Sequence, residues 1–126
     1  MSSIVPSPVM QSTFSAQAAH EGKVLVVQFT GDAGLDARPP LDGFVVDLHQ
    51  CAQVSGVEGV TIDLRKLEFM NSSCFKSLVT WLGQIQEMPV ERQYRVHFRS
   101  NPEMLWQRRS LHALRCLAVD LVTVEP

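Results

Sequence analysis

The spacing of apolar residues changes period several times along the chain, and each change marks an element. Lys23–Phe29 reads KVLVVQF, an apolar, β-branched run too short for a typical helix, and predicts a strand. The segment GDAGLDARPP then breaks the pattern with glycines, aspartates and two prolines. Leu41, Phe44, Val45, Leu48 and Ala52 follow at i, i+3, i+4, i+7 and i+11, which is one face of a helix. Val60, Ile62 and Leu64 alternate with Thr61, Asp63 and Arg65, predicting a strand with one face on a core and the other wetter. Phe75, Leu78, Val79, Leu82 and Ile85 return to helical spacing, and Pro89 ends that helix. QYRVHFRS predicts another strand. NPEMLWQRRSLHALRCLA predicts a helix with Asn101 as N-cap, Pro102 at the first helical position and a stripe of Met104, Leu111, Leu114 and Leu117. VDLVTV predicts a closing strand.

The order β-α-β-α-β-α-β implies right-handed crossovers and an α/β fold, a mainly parallel sheet of 4–5 strands with helices packed on it. STFSAQAAHEG offers a short additional edge strand. The stretch 1–11, rich in Ser and Pro and without periodicity, is expected to be a flexible lead-in to one domain over 12–126. In open α/β sheets, sites collect at the carboxyl ends of strands. Asn71-Ser72-Ser73 lies there, between the strand ending near Leu64 and the next helix, and so does the Asp-rich loop after Phe29.

Composition narrows the function classes. With 126 residues, 45% apolar and 19% charged, the chain has the balance of a globular domain able to bury a core. Its formal net charge of -2 gives no basic footprint for nucleic acid. No apolar run approaches the roughly 18–20 residues needed to span a bilayer, and the N-terminus has no basic and apolar signal pattern. Cys51, Cys74 and Cys116 are widely spaced and lack metal-ligand spacing, which fits reduced thiols in a cytoplasmic protein. His49, His97 and His112 show neither ligand nor triad spacing, and no nucleophile has a visible base or oxyanion partner. No cofactor, metal or catalytic activity is expected. Trp81 and Trp106 fall off the stripes above and are expected at the core margin or as partner anchors. A receiver domain is disfavoured, because no acidic pair follows the first strand and no lysine follows the last.

The segment VTIDLRKLEFMNSSCFKSLVTWL resembles the signature of STAS domains, the family of the bacterial anti-sigma-factor antagonists. Asp63-Leu64 matches the strand end, Phe69-Met70 the apolar pair before the motif, and Ser72-Ser73 the paired serines. Together with the β/α order, the resemblance extends over about residues 12–125. It implies a signalling protein that binds a serine-kinase-type anti-sigma factor or related kinase and is released when its first serine is phosphorylated. A phosphatase resets such a switch. By motif position the acceptor is Ser72, with Ser73 the second choice. Asn71, Ser72, Ser73, Cys74, Lys76 and Asp36 are the expected partner contacts. Asn71 replaces the family's Asp and Cys74 its Gly, and both departures favour the alternative, a STAS-like scaffold that binds its partner without phosphorylation. Serine and asparagine are also preferred helix caps whatever the function. Cys74, beside Met70 and Phe75, reads as a packed hydrophobe more readily than as an activated thiol.

Overall fold

A computed structural model describes residues 5–125. The elements in chain order are β1 (Val9–Met10), β2 (Phe14–Glu21), β3 (Val24–Ala33), α1 (Arg38–Ser55), β4 (Gly59–Met70), α2 (Ser72–Gln86), β5 (Arg95–Arg99), α3 (Leu105–Leu117) and β6 (Val122–Glu125). Short 3-10 turns at Leu35–Ala37 and Val90–Arg92 join them. The six strands form one sheet in sequence order, two more than the four inner strands expected at minimum. β1, β2 and β3 pair antiparallel, while β3 through β6 pair parallel. Because each crossover steps the same way along the sheet, right-handed connections place all three helices on one face.

Alternation along the strands separates the two faces. Leu25, Val27, Phe29, Val60, Ile62, Leu64, Val96, Phe98 and Val122 point to the helices and form the core with Leu41, Phe44, Leu48, Leu78, Leu82, Leu111 and Leu114. The opposite face is polar and closes on itself. Asp63 is buried there under the guanidinium of Arg65, at 2.7 Å. His97 contacts the Thr123 hydroxyl at 2.6 Å and the Glu125 carboxylate at 3.1 Å. The expectation that Thr61 and Asp63 lie on a wetter face is corrected: both are buried, Asp63 under the long side chain of Arg65.

Other departures have local causes. Val9–Met10, inside the stretch expected as lead-in, pair with Ala16 and Ser15, and Val9 joins the core. Of the other lead-in residues, 1–4 lie outside the described residues. β2 is eight residues long, and β1 covers its outer side only at Ser15 and Ala16. β3 runs on through Gly31-Asp32-Ala33, where periodicity suggested a break. Register shifts against β4 absorb the irregularity, and Gly31 at φ 92° is pressed against the carbonyl of Thr13. Pro39 and Pro40 fall in the first turn of α1, where a missing N–H costs nothing.

α3 begins at Leu105, not at Pro102. Asn101 instead closes a turn, its Oδ1 accepting from the Glu103 amide at 3.0 Å. The buried stripe of α3 is Gln107, Leu111 and Leu114, while Leu117 is exposed. Gln107 donates to the carbonyls of Leu64 and Leu67 at 2.7 and 2.9 Å and accepts from the Asn101 amide at 2.8 Å. A buried amide with these partners ties α3 to the middle of β4.

Candidate functional site

The carboxyl ends of β3 and β4 lie side by side, with Ala33 opposite Met70. The chain leaves β4 at Met70 and turns directly into α2. Asn71 is the N-cap, extended at φ -63° and ψ 146°, and its Oδ1 accepts from the Ser73 amide at 2.8 Å. The Asn71 amide donates to the Ala33 carbonyl at 2.7 Å, so the cap is held to the end of β3. The side chain that satisfies the helix start is therefore Asn71, and Ser72 is left with its hydroxyl exposed at the first helical position.

The structure places the expected site residues unequally. Ser72 and Lys76 are exposed on the first turns of α2, and Ser73 is half-buried. Asp36 is exposed on the 3-10 turn that packs against α2, where its carbonyl accepts from Gln11 at 3.1 Å. Cys74 is fully buried, and its Sγ donates to the Gly34 carbonyl at 3.3 Å. The expectation that Cys74 meets a partner is corrected, since a side chain with no exposed surface cannot. Burial also pushes its thiol pKa up, outweighing Arg38, so the helix start does not activate it. Its work is to hold the loop after β3 against the first turn of α2.

One helical turn on, a hydroxyl that sequence reasoning missed is engaged from α1. Ser77 is buried and donates to Asp42, whose carboxylate also accepts from Arg38 Nε at 3.2 and 2.9 Å. Arg38 and Asp42 stand at i and i+4 on α1, a spacing visible in the sequence, but nothing in the sequence pointed them at Ser77. A groove of about 260 Å³ between α1 and α2 is lined by Arg38, Asp42, Val46, Ser77, Thr80 and Gln84 among others. Around Ser72, at the same end of the sheet, Leu35 and Phe69 are exposed apolar side chains. Phe69 lies on β4 two positions before the N-cap, and Leu35 on the turn facing α2. The site is thus an exposed hydroxyl at a helix start, at an end of the sheet that also carries exposed Leu35 and Phe69, the acids Asp32 and Asp36, and Lys76.

No base lies within hydrogen-bond reach of Ser72 among the described contacts, and no cluster of three or more His, Cys, Asp or Glu suited to a metal occurs among the described residues. Amide groups at the start of a helix do favour an anion, so the Ser72 position suits a phosphate electrostatically. Among the described residues, no helix is long and apolar enough to cross a membrane.

No family model matches the chain, and no curated protein matches it significantly. Solved structures do. An anti-sigma factor antagonist from Mycobacterium paratuberculosis superposes with a TM-score of 0.62 at 18% identity, over 90% of this chain and 86% of that one. An antisigma-factor antagonist STAS domain from Rhodobacter sphaeroides does so with a TM-score of 0.51 at 10% identity, over 74% of this chain and 91% of that one. The serine pair stands at the start of α2, just after the end of β4, with Ser72 exposed, and by these two likenesses the fold of this chain is the STAS-domain fold of the anti-sigma-factor antagonists.

Proposed function

We propose that this protein is a non-enzymatic, cytoplasmic regulator of the anti-sigma-factor-antagonist type, which binds a serine-kinase-type partner around the start of α2 and releases it when Ser72 is phosphorylated. The observation that carries the reading is the division of labour at the helix start. Asn71 does the capping, so the Ser72 hydroxyl is exposed and has no structural task that phosphorylation would undo. Partner contacts would come from Ser72, Ser73, Lys76 and Asp36, with Leu35 and Phe69 adding the apolar area that such a surface needs. Asn71 and Cys74 act from beneath, by fixing the helix start.

The energetics of a switch here are asymmetric. A phosphate at the helix N-terminus gains about 0.3–1 kcal/mol in the isolated domain. It also adds about -1.5 to -2 charge beside exposed Leu35 and Phe69. A partner that covers those side chains must desolvate that charge, and about 1.4 kcal/mol already changes affinity tenfold. The fold is unaffected while the complex is lost. A phosphatase would restore binding.

A second reading keeps the partner and removes the modification. It is favoured by Asn71, an uncharged residue where the antagonists have Asp. Co-expression with a serine-kinase-type anti-sigma factor, followed by intact mass and peptide mapping, separates the two. The switch reading expects one added phosphate on Ser72. An unmodified protein that still co-purifies with the kinase would establish the scaffold in its place, and mapping to Ser73 would move the acceptor by one residue.

A further inference from the structure

A second surface lies away from Ser72, where α3 overhangs the free edge of the sheet. β6 is the last strand in the order, and no strand pairs with its outer side among the described residues. The Leu121 and Glu125 carbonyls accept from β5-side amides, of Val96 and Ser100. Backbone groups alternate sides along a strand, so the N–H and C=O of Val124 point away from the sheet, as does the C=O of Val122. Above this edge, a cavity of about 260 Å³ is lined by Ser100, Arg108, Leu111, His112, Arg115 and Val124. Its floor is apolar and its rim is basic.

The rim is uncompensated. Arg108, His112 and Arg115 stand at i, i+4 and i+7, on one side of a helix that contains no acidic residue. None of Arg108, Arg109 and Arg115 forms an ion pair among the described residues. Glu125, the carboxylate of β6, lies on the opposite face of the sheet in contact with His97. Two exposed arginines without an ion pair, Arg108 and Arg115, on one side of a helix of a protein of net charge -2 suit an anionic counterpart. Seven residues of helix span about 10.5 Å, more than one small anion can bridge. Side chains on one face of an extended strand repeat every ~6.6 Å, so three successive carboxylates, over ~13 Å, would cover the row.

We propose that the outer edge of β6 and the basic side of α3 together form a docking site for an extended acidic segment of a partner protein. The segment would add to the sheet as a seventh strand through the Val124 backbone groups, with its acidic side chains reaching Arg108, His112 and Arg115. Short length and nearby charge keep such an edge from pairing indiscriminately, and the same charge selects an acidic partner. The site is independent of Ser72.

The test uses a fluorescein-labelled octapeptide of alternating Glu and Val, with a Lys/Val octapeptide and inorganic phosphate as comparisons. Binding by anisotropy is expected for the Glu peptide only, weakening as salt rises. Affinity should fall at least tenfold in an Arg108→Glu/Arg115→Glu variant and stay unchanged in Ser72→Asp. Both arginines are exposed, and a thermal melt establishes that the variant folds. Amide exchange at Val124 should slow in the complex. No binding of the Glu peptide, equal binding by the double variant, or unslowed exchange at Val124 would each overturn the proposal. Displacement by phosphate at concentrations comparable with the peptide's would do so too, since it would mean a small-anion pocket rather than strand addition.

Discussion

Ser72 and Ser77 lie on one helix five residues apart, in opposite surroundings. Ser72 faces solvent, whereas Ser77 is buried against Asp42. Replacing Ser72 with Ala is expected to shift stability by no more than about 0.5 kcal/mol, as at other exposed positions without a structural bond. Asn71→Ala removes the actual cap and is expected to cost about 0.5–2 kcal/mol. A chemical-denaturation series on the two variants checks this order, and an equal or larger loss at Ser72 would mean that the cap has been misassigned. Gly31 supplies a third case. At φ 92°, with a would-be Cβ colliding with the Thr13 carbonyl, Gly31→Ala is expected to cost more than the about 1 kcal/mol of strain alone and to loosen the β3 exit beside the site. A melt within error of the parent protein would contradict that. The serine pair itself was legible, because apolar runs of different period meet at it. The cap was not, since Asn71, Ser72 and Ser73 are all residue types that cap helices and only backbone geometry decides among them.

At the scale of elements, α2 explains why periodicity reads an amphipathic surface better than a sandwiched one. The apolar positions Phe75, Leu78, Val79, Leu82 and Ile85 define a stripe, but the buried side is Cys74, Ser77, Leu78, Trp81, Leu82 and Ile85, turned by about one position. The helix packs on α1 as well as on the sheet, so it buries a wider arc that admits a serine and a tryptophan. Trp81 is consequently core, its indole N–H donating to the Tyr94 hydroxyl at 2.8 Å, and not the core-margin residue expected. Tyr94 in turn contacts His49 Nδ1 of α1 at 2.6 Å, and burial pushes the phenol pKa up. A hydroxyl that accepts from Trp81 is best satisfied by donating to a neutral His49. Burial lowers the His49 pKa below its ordinary value of about 6.5. The unfolded chain then binds the proton more readily, so this contribution to stability is complete above about pH 6.5 and is lost as pH falls from there towards the folded value. Stability measured by denaturation between pH 7.5 and 5 is expected to fall less steeply in His49→Gln than in the parent protein. Parallel curves would contradict the assignment. α3 was placed three residues early because Asn101-Pro102 is a strong helix-start signal that here closes a turn, and its buried Gln107 cannot be found from apolar spacing at all.

On the scale of the whole molecule, the β/α alternation of residues 23–125 carried the architecture, since three crossovers of one hand leave few arrangements for four strands. The antiparallel additions β1 and β2 were harder to read. β2 is mostly alanine and polar residues, and β1 has only two residues, so neither has a full apolar period. The single core extends from Val9 to Val122, and truncating its centre should be felt globally. Leu78→Ala, at 1% exposure between the sheet and the helices, is expected to lower unfolding free energy by about 2–5 kcal/mol in one cooperative transition. A loss below 1 kcal/mol would mean that α2 is not packed as described.

Ser72 is the proposed point at which a partner is held and released. The most direct measurement is the affinity of a serine-kinase-type anti-sigma factor for the unmodified protein and for the same protein phosphorylated at Ser72, by calorimetry at fixed salt. Ser72→Asp would be run alongside as the weaker mimic, because a carboxylate carries less charge than a phosphate. Phosphorylation is expected to weaken binding at least tenfold and Ser72→Asp to weaken it less, with both proteins melting as the parent does. Equal affinities of the phosphorylated and unmodified proteins would contradict the switch.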